Sequence, residues 1–148
     1  MSEKSGVILG FDFGLSQIGV ATAQTITGTA SALKILKAKT GAPDWSEIEV
    51  LLAEWRPSLL VVGLPLNMDG SESDMSRRAR KFAGRLHGRF GLKVELMDER
   101  LSSFDVKQSI IESKISGTSG AKKMPLDKVD SEVAALILQS WLENQART

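Results

Sequence analysis

Apolar runs and apolar stripes divide the chain into short strands and amphipathic helices. The first two runs are joined by a connection short enough for a hairpin, and Gly14 ends the first of them. The fourth run is continuously apolar, which is typical of a strand covered on both faces. The predicted strands are Val7–Phe13, Ile18–Ala23, Ala30–Leu36, Leu59–Gly63 and Leu92–Met97.

Apolar residues that recur at helical spacing predict three helices between and after these strands, and Ser103 as an N-cap predicts a fourth. The helices are expected from Asp44 to about Trp55, over about Met75–Phe90, from Ser103 through about Lys114, and over about Asp127–Asn144. Asp44 and Glu47 resemble a capping box for the first of them. The residues expected to face the core are Trp45, Ile48, Leu51, Leu52 and Trp55; Ala79, Phe82, Ala83, Leu86 and Phe90; and Val133, Ala134, Ile137, Leu138 and Trp141.

The order of the elements predicts one α/β domain over residues 1–148. Three strands joined by short connections are followed by β-α-β units, which predicts a mixed five-stranded sheet with helices packed against it. The loop Leu64–Ser73 is rich in turn-forming residues. The segment Ser116–Pro125 is expected to be a flexible, basic loop.

Composition limits the chemistry that such a domain can perform. The chain has 148 residues, no cysteine and one histidine, His87, which excludes disulfides, thiolate metal sites and sites with several histidines. Lys and Arg number 19 against 18 Asp and Glu, so the net charge is +1, which argues against a surface that is basic all over. No signal peptide or membrane span is evident, and we expect a cytoplasmic protein. An enzyme of this composition would have to rely mainly on carboxylates.

Three acidic residues lie where apolar surroundings make a charge unusual. Asp12 stands between Phe11 and Phe13 and should project to the opposite face of the strand. Glu99 stands just beyond the apolar strand Leu92–Met97, and Asp130 lies on or beside the apolar stripe of the last helix. Each also has an ordinary interpretation: a polar strand end, a solvated turn, and an acid in the first turn of a helix.

These three carboxylates could meet at one edge of the sheet. Without cysteine and with one histidine, such a cluster suits a hard cation, Mg²⁺ or Mn²⁺. Two such ions about 3.5–4 Å apart would activate water and stabilise the leaving oxygen in phosphodiester hydrolysis. The spacing therefore favours a metal-dependent nuclease.

A basic stretch offers a surface for the phosphates of a nucleic acid. From Met75 to Val94 the chain has seven positive charges and no acid, among them Arg77 and Lys81. Lys122 and Lys123 add charge to the predicted loop before Asp130. These residues could equally be a solvated surface.

Four short motifs together resemble one bacterial family. They are Gly10–Gly14 (GFDFG) with Ile18–Ala21 (IGVA), Val61–Gly70 (VVGLPLNMDG), Asp98–Ser102 (DERLS), and Val129–Ala135 (VDSEVAA) running on to Gln139. In this order and spacing they span about residues 6–143 and resemble the YqgF family of pre-16S rRNA nucleases, which are also described as Holliday junction resolvase-like.

The resemblance implies a ribonuclease H-like fold and a metal-dependent endonuclease site, which we expect to hold two Mg²⁺ or Mn²⁺ ions. By position, the family's three acids fall on Asp12, Glu99 and Asp130, with Asp127 as an additional ligand and Asp98 as a substitute for Glu99. Residues that the resemblance and the charge pattern place near the substrate are Gly14, Asn67, Gly70, Arg100, Lys122, Lys123, Arg77 and Lys81.

The substrate implied is nucleic acid, RNA before DNA, in the form of the 5′ region of precursor 16S rRNA within a ribosomal precursor particle. Two alternatives stay open: a Holliday junction resolvase acting on four-way DNA, and a non-catalytic RNA-binding or ribosome-assembly factor. A monomer and a homodimer are both compatible with the sequence, although a resolvase needs a two-fold dimer.

Overall fold

The computed structural model describes residues 6–99 and 129–146. In these ranges six strands form one mixed sheet in the order β4-β3-β2-β1-β5-β6. In chain order the elements are β1 (Val7–Asp12), β2 (Gln17–Gln24), β3 (Thr29–Lys39), β4 (Ala42–Pro43), α1 (Trp45–Trp55), β5 (Leu59–Leu64), α2 (Asp74–Phe90), β6 (Val94–Asp98) and α3 (Val129–Ala146).

The sheet is mixed, as predicted, with an antiparallel part and a parallel part. β1 pairs antiparallel with β2, and β2 pairs antiparallel with β3. β5 lies parallel to β1 on one side and to β6 on the other. The prediction of five strands missed β4, which pairs with the end of β3 over two residues. A strand of two residues is too short to show an alternating pattern.

Helices cover both faces of the sheet. α1 and α2 pack on one face, where Phe82 of α2 lies 5.7 Å from the ring of Phe11 and 5.4 Å from that of Phe13. α3 packs on the other face. The apolar faces predicted for the three helices are confirmed: their members are buried or packed against the two core clusters.

The ends of α1 and α2 are determined by side chains that satisfy free backbone groups. Asp44 is the N-cap of α1, as predicted, but its carboxylate accepts from the amide of Ser46 (3.0 Å), and the capping box expected with Glu47 is not formed. A complete capping box occurs instead on α2, between Ser73 and Ser76.

Small residues allow α3 to approach the sheet closely. A Cβ atom at Gly10 would lie 2.9 Å and 3.0 Å from the two δ-carbons of Leu138, and one at Gly63 would lie 2.6 Å from Ile137. Ala21 and Ala23 of β2 complete this small-residue surface. Gly10 and Gly63 are therefore packing positions as well as motif residues.

The predicted helix from Ser103 through Lys114 and the predicted loop Ser116–Pro125 lie outside the described residues. Within the described ranges, none of the helices combines the length and the apolar character required to cross a membrane.

Candidate active site

Asp12 is the last residue of β1 and lies on the α3 face of the sheet. Ile8 packs with α3, whereas Leu9, Phe11 and Phe13 pack with α1 and α2. Because side chains alternate along a strand, Asp12 belongs to the same face as Ile8. Its projection away from the two phenylalanines is thus as predicted, and it is half-buried.

The carboxylate of Glu99 reaches the same face over the end of β5. A Cβ atom at Gly63 would lie 2.8 Å from Oε2 of Glu99 and 3.2 Å from its Cγ. The parallel register of β1 and β5 pairs Phe11 with Val62, so Gly63 is the β5 residue next in line to Asp12. Glu99 therefore lies above the strand adjacent to Asp12.

Asp98 lies on the opposite face. It follows Met97, which packs with α3, and Leu96, which packs with the α1 and α2 side. Alternation along β6 assigns Asp98 to the same side as Leu96. Of the two acids in the DER motif, Glu99 is the one that shares a face with Asp12.

The direction of α3 brings Asp130 to this edge. In the second half of the helix, Nε1 of Trp141 donates to Glu95 near the start of β6 (3.0 Å). Gln139 donates to the carbonyl of Gly28 (3.0 Å) and accepts from the amide of Ala30 (3.1 Å), at the turn between β2 and β3. Both contacts lie at the end of the sheet where β1, β5 and β6 begin. The first turn of α3, with Asp130 as its second residue, consequently lies toward the end where those strands finish.

One edge of the sheet therefore receives the end of β1 at Asp12, the side chain of Glu99 and the start of α3 at Asp130. No group of three acids or histidines spaced for a metal ion occurs among the residues that the structure describes. Asp127 and Arg100, also predicted for this site, lie outside the described residues, as do Lys122 and Lys123.

Gly14 shapes the turn that follows Asp12. A Cβ atom at Gly14 would collide with the backbone carbonyl of Gln17, so the return of the chain into β2 requires glycine at this position. The contacts of Gly14 therefore support a structural role: it lets two backbone segments approach closely beside the end of β1.

The loop after β5 forms a small, ordered hairpin at the same edge. Leu66 and Glu72 form an isolated antiparallel bridge, and the amide of Gly70 donates to the carbonyl of Asn67 (2.9 Å). The side-chain amide of Asn67 donates to Oγ of Ser71 (2.9 Å). Met68 at its tip is 90% exposed. Asn67 and Gly70 thus build the turn beside the acidic edge.

The basic stretch divides into two groups on α2. Arg77 and Arg78 pair with Asp74 at 3.8 Å and 2.8 Å, and Arg80 pairs with Glu72 at 2.6 Å. Lys81 and Arg85 form no ion pair with any acid of the described ranges, and together with Arg78 they line a small cavity. Glu72, just before α2, and Asp74, its first residue, neutralise part of the stretch; a count that starts at Met75 leaves both acids out.

Sequence reasoning missed Ser76, a buried polar residue on the apolar face of α2. Its hydroxyl donates to the carbonyl of Pro65, and the amide of Ser73 donates to it (2.9 Å). Ser76 thereby ties the start of α2 to the loop that borders the acidic edge. Its place three residues after the N-cap Ser73 was the available signal.

Two solved structures that share this fold are resolvases. The Thermus thermophilus RuvC structure described as "in complex with Holliday junction substrate" matches with a TM-score of 0.54 and 15% identity, over 93% of this chain and 95% of that chain. The yeast mitochondrial Holliday junction resolvase matches with a TM-score of 0.56 and 11% identity, over 97% of this chain and 80% of that one. These likenesses confirm the ribonuclease H-like α/β fold class.

Sequence similarity then gives the family. The profile of the family described as "RuvX: Holliday junction resolvase" matches residues 6–144. A protein of Pectobacterium atrosepticum named "Putative pre-16S rRNA nuclease" is 53% identical over 145 residues, which cover 98% of this chain and 99% of that protein. The chain belongs to the RuvX family, which confirms the YqgF resemblance.

Proposed function

We propose that this chain is a divalent-metal-dependent endonuclease that hydrolyses phosphodiester bonds in the 5′ region of precursor 16S rRNA. The position of Glu99 over Gly63 carries the proposal. It brings a carboxylate of the DER segment onto the face and edge where β1 ends in Asp12. The name of the Pectobacterium relative, which is similar over nearly its full length, supports the substrate.

The donor set fits Mg²⁺ or Mn²⁺. Asp12, Glu99 and Asp130 offer only carboxylate oxygens, which hard divalent cations prefer, and the sequence has no cysteine to favour a softer metal. Divalent cations bound there supply Lewis acidity, which makes water more acidic and neutralises charge on the phosphate. We propose two such ions, held by these three acids.

The chain's own residues hold and orient the reacting groups. Asp12 sits at the end of β1, inside the sheet between β2 and β5, and the carboxylate of Glu99 lies over the Gly63 backbone, as does Ile137 of α3. Carboxylates mounted on packed elements keep their geometry without reorganising during the reaction. The ordered loop through Asn67 and Gly70 and the turn at Gly14 border the space that the nucleic acid would enter.

A resolvase acting on four-way DNA is the second candidate, because the description of the matching family names a Holliday junction resolvase. A resolvase has to match the two-fold symmetry of the junction with a two-fold dimer. The oligomeric state therefore separates the candidates in part: a strict monomer in solution contradicts the resolvase.

The test is a cleavage assay with two labelled substrates, an RNA that spans the 5′ end of 16S rRNA in its precursor form and a four-way DNA junction. We expect cleavage of the RNA with Mg²⁺ or Mn²⁺ and none with EDTA. Cleavage of the junction alone favours the resolvase. Binding of RNA without cleavage of either substrate contradicts both and favours a non-catalytic assembly factor.

A further inference from the structure

A small cavity of about 120 Å³ opens on the α2 side of the sheet, directly after Asp12 in the chain. Phe13 contributes from the end of β1, the turn between β3 and β4 contributes two residues, and one face of α2 contributes four. The lining residues are Phe13, Thr40, Gly41, Arg78, Lys81, Phe82 and Arg85. We call it the α2 pocket.

The α2 pocket is positively charged. Arg78, Lys81 and Arg85 recur at intervals of three and four residues, which places them on one face of the helix. No acid of the described ranges lines the cavity. Arg78 hydrogen-bonds Asp74 at 2.8 Å, but Asp74 is 69% exposed, and such a pair is readily exchanged for a stronger anion. Lys81 and Arg85 have no acid partner in the described ranges, and Arg78 has only an exposed one. These three positive charges favour an anionic ligand.

The rim of the α2 pocket is preformed. Thr40 and Gly41 have φ values of 50° and 85°, so both adopt the left-handed conformation of a tight hairpin turn. A Cβ atom at Gly41 would lie 2.7 Å from the ring of Phe13, and the Gly41 amide donates to the carbonyl of Leu15 (2.8 Å). Threonine is an unusual residue at positive φ because it is β-branched, and such conformations persist at functional sites.

The cavity has the size and chemistry for a phosphate group. Its volume of about 120 Å³ compares with roughly 30 Å³ for a water molecule in the liquid, which leaves room for a phosphate and bound water. Arginine offers a planar fork of donors and lysine a point charge, the two standard partners of phosphate.

The larger cavity beside β3 and α1, about 620 Å³, lacks this one-sided charge. It is lined by Lys37 and Lys39 but also by Asp44 and Glu47. Opposite charges in the same cavity favour neither sign of ligand, so this cavity offers an anion no comparable site.

We propose that the α2 pocket binds a backbone phosphate of the substrate strand, beside the bond that is cut. This inference rests on the proposed nuclease function and adds a second contact to it. Asp12 and Phe13 are consecutive residues on opposite faces of the same strand end, so the pocket and the acidic edge lie at the same end of β1, and a strand that contacts both has to cross this end of the sheet. The pocket then determines on which side of the cleaved bond the strand is held.

The experiment compares two double variants that each remove two positive charges. Lys81→Gln with Arg85→Gln removes charge from the α2 pocket. Arg80→Gln with Lys93→Gln removes residues paired with Glu72 and Glu95 outside the pocket, and it is the matched control. The affinity for a fluorescein-labelled single-stranded RNA is measured in EDTA at several KCl concentrations, so that no cleavage occurs. Thermal unfolding midpoints verify that both variants fold.

We expect the pocket variant to bind about tenfold more weakly at low salt, with the slope of log K against log salt reduced by about 0.7. The control should retain most of the wild-type affinity and slope. Equal losses in both variants, or no loss in the pocket variant, overturn the proposal. Because EDTA prevents metal-dependent cleavage, the proposal stands or falls on binding alone: a selective loss supports the pocket even when wild-type protein cleaves neither substrate.

With cleavage established, the pocket variant provides a second readout. A contact that holds the strand in both ground and transition states raises KM and leaves kcat nearly unchanged. If Lys81 and Arg85 had only a structural role, the pocket variant would have a lower unfolding midpoint but would not show a raised KM with an unchanged kcat. If KM of the folded pocket variant equals that of the control, the α2 pocket is no part of the substrate path.

Discussion

The carboxylate of Glu99 occupies the space that a side chain at Gly63 would fill: Oε2 lies 2.8 Å from the Cβ position of that glycine. The contact links the end of β5 to the residue that follows β6, on the face that also receives Asp12 and α3. Glycine at position 63 is thus required both by the core and by the proposed site.

Gly63→Ala should impair both stability and catalysis. The added methyl would meet Ile137 at 2.6 Å and the Glu99 carboxylate at 2.8 Å, and relieving either contact moves a packed group. We expect a loss of about 1–3 kcal/mol in the free energy of unfolding. We also expect a marked fall in kcat of the folded protein, because Glu99 is displaced. Urea denaturation and turnover below the unfolding midpoint measure the two effects.

Gly10→Ala is the matched control for that substitution. Its methyl would meet only Leu138 among the nearest atoms, so it disturbs the packing of α3 without touching Glu99. We expect a comparable loss of stability with a much smaller effect on kcat. Equal losses of kcat in both variants would show that α3 packing, and not the position of Glu99, limits the reaction.

Ser76→Ala tests the link between α2 and the loop beside the site. The substitution leaves the Pro65 carbonyl with only the longer hydrogen bond from the Ser73 hydroxyl (3.4 Å) and removes half of the capping box with Ser73. Since Ser76 is fully buried, water cannot easily replace these bonds. We expect a loss of about 1–3 kcal/mol in the free energy of unfolding. Ser31→Ala, at an exposed position of β3, should change it by no more than about 0.5 kcal/mol.

The pH dependence of stability should report the pair at the start of α2. The hydrogen bond from Arg78 and its charge hold the pKa of Asp74 below its ordinary value. The stabilisation is therefore present at neutral pH and is lost as the pH falls through the lowered pKa of Asp74. Asp74→Asn should lower the unfolding midpoint slightly at neutral pH and less at acid pH. A difference that stays constant into the acid range, or that salt does not reduce, contradicts this role.

Much of the fold could be predicted because it depends on local periodicity. The apolar face of α2 with Ala79, Phe82 and Leu86 was predictable from helical spacing. The antiparallel arrangement of β1, β2 and β3 was predictable from the short connections between them. β4 was not predictable, because a strand of two residues is too short to show an alternation of apolar and polar positions. The N-cap partner of Asp44 was predicted wrongly, since Ser46 competes with Glu47 for the same role and sequence alone does not rank them.

The candidate site was predictable in part for the same reason. Asp12 projects away from Phe11 and Phe13 because of strand alternation, which is visible in the sequence. The cover of Gly63 by Glu99 was not predictable, because it depends on the parallel register of β5 and β6, and these strands are separated by the whole of α2. The assignment of Asp12, Glu99 and Asp130 to metal remains a prediction.

The rate of Mg²⁺-dependent RNA cleavage by Asp12→Asn tests the central claim most directly. The substitution removes one charge and keeps the shape of a side chain that ends the central strand. Asp44→Asn is the control, because asparagine caps a helix as well as aspartate does. The account predicts that Asp12→Asn folds, binds RNA and has lost cleavage by at least about a hundredfold, whereas Asp44→Asn cleaves like the wild type. Undiminished cleavage by purified Asp12→Asn would contradict it.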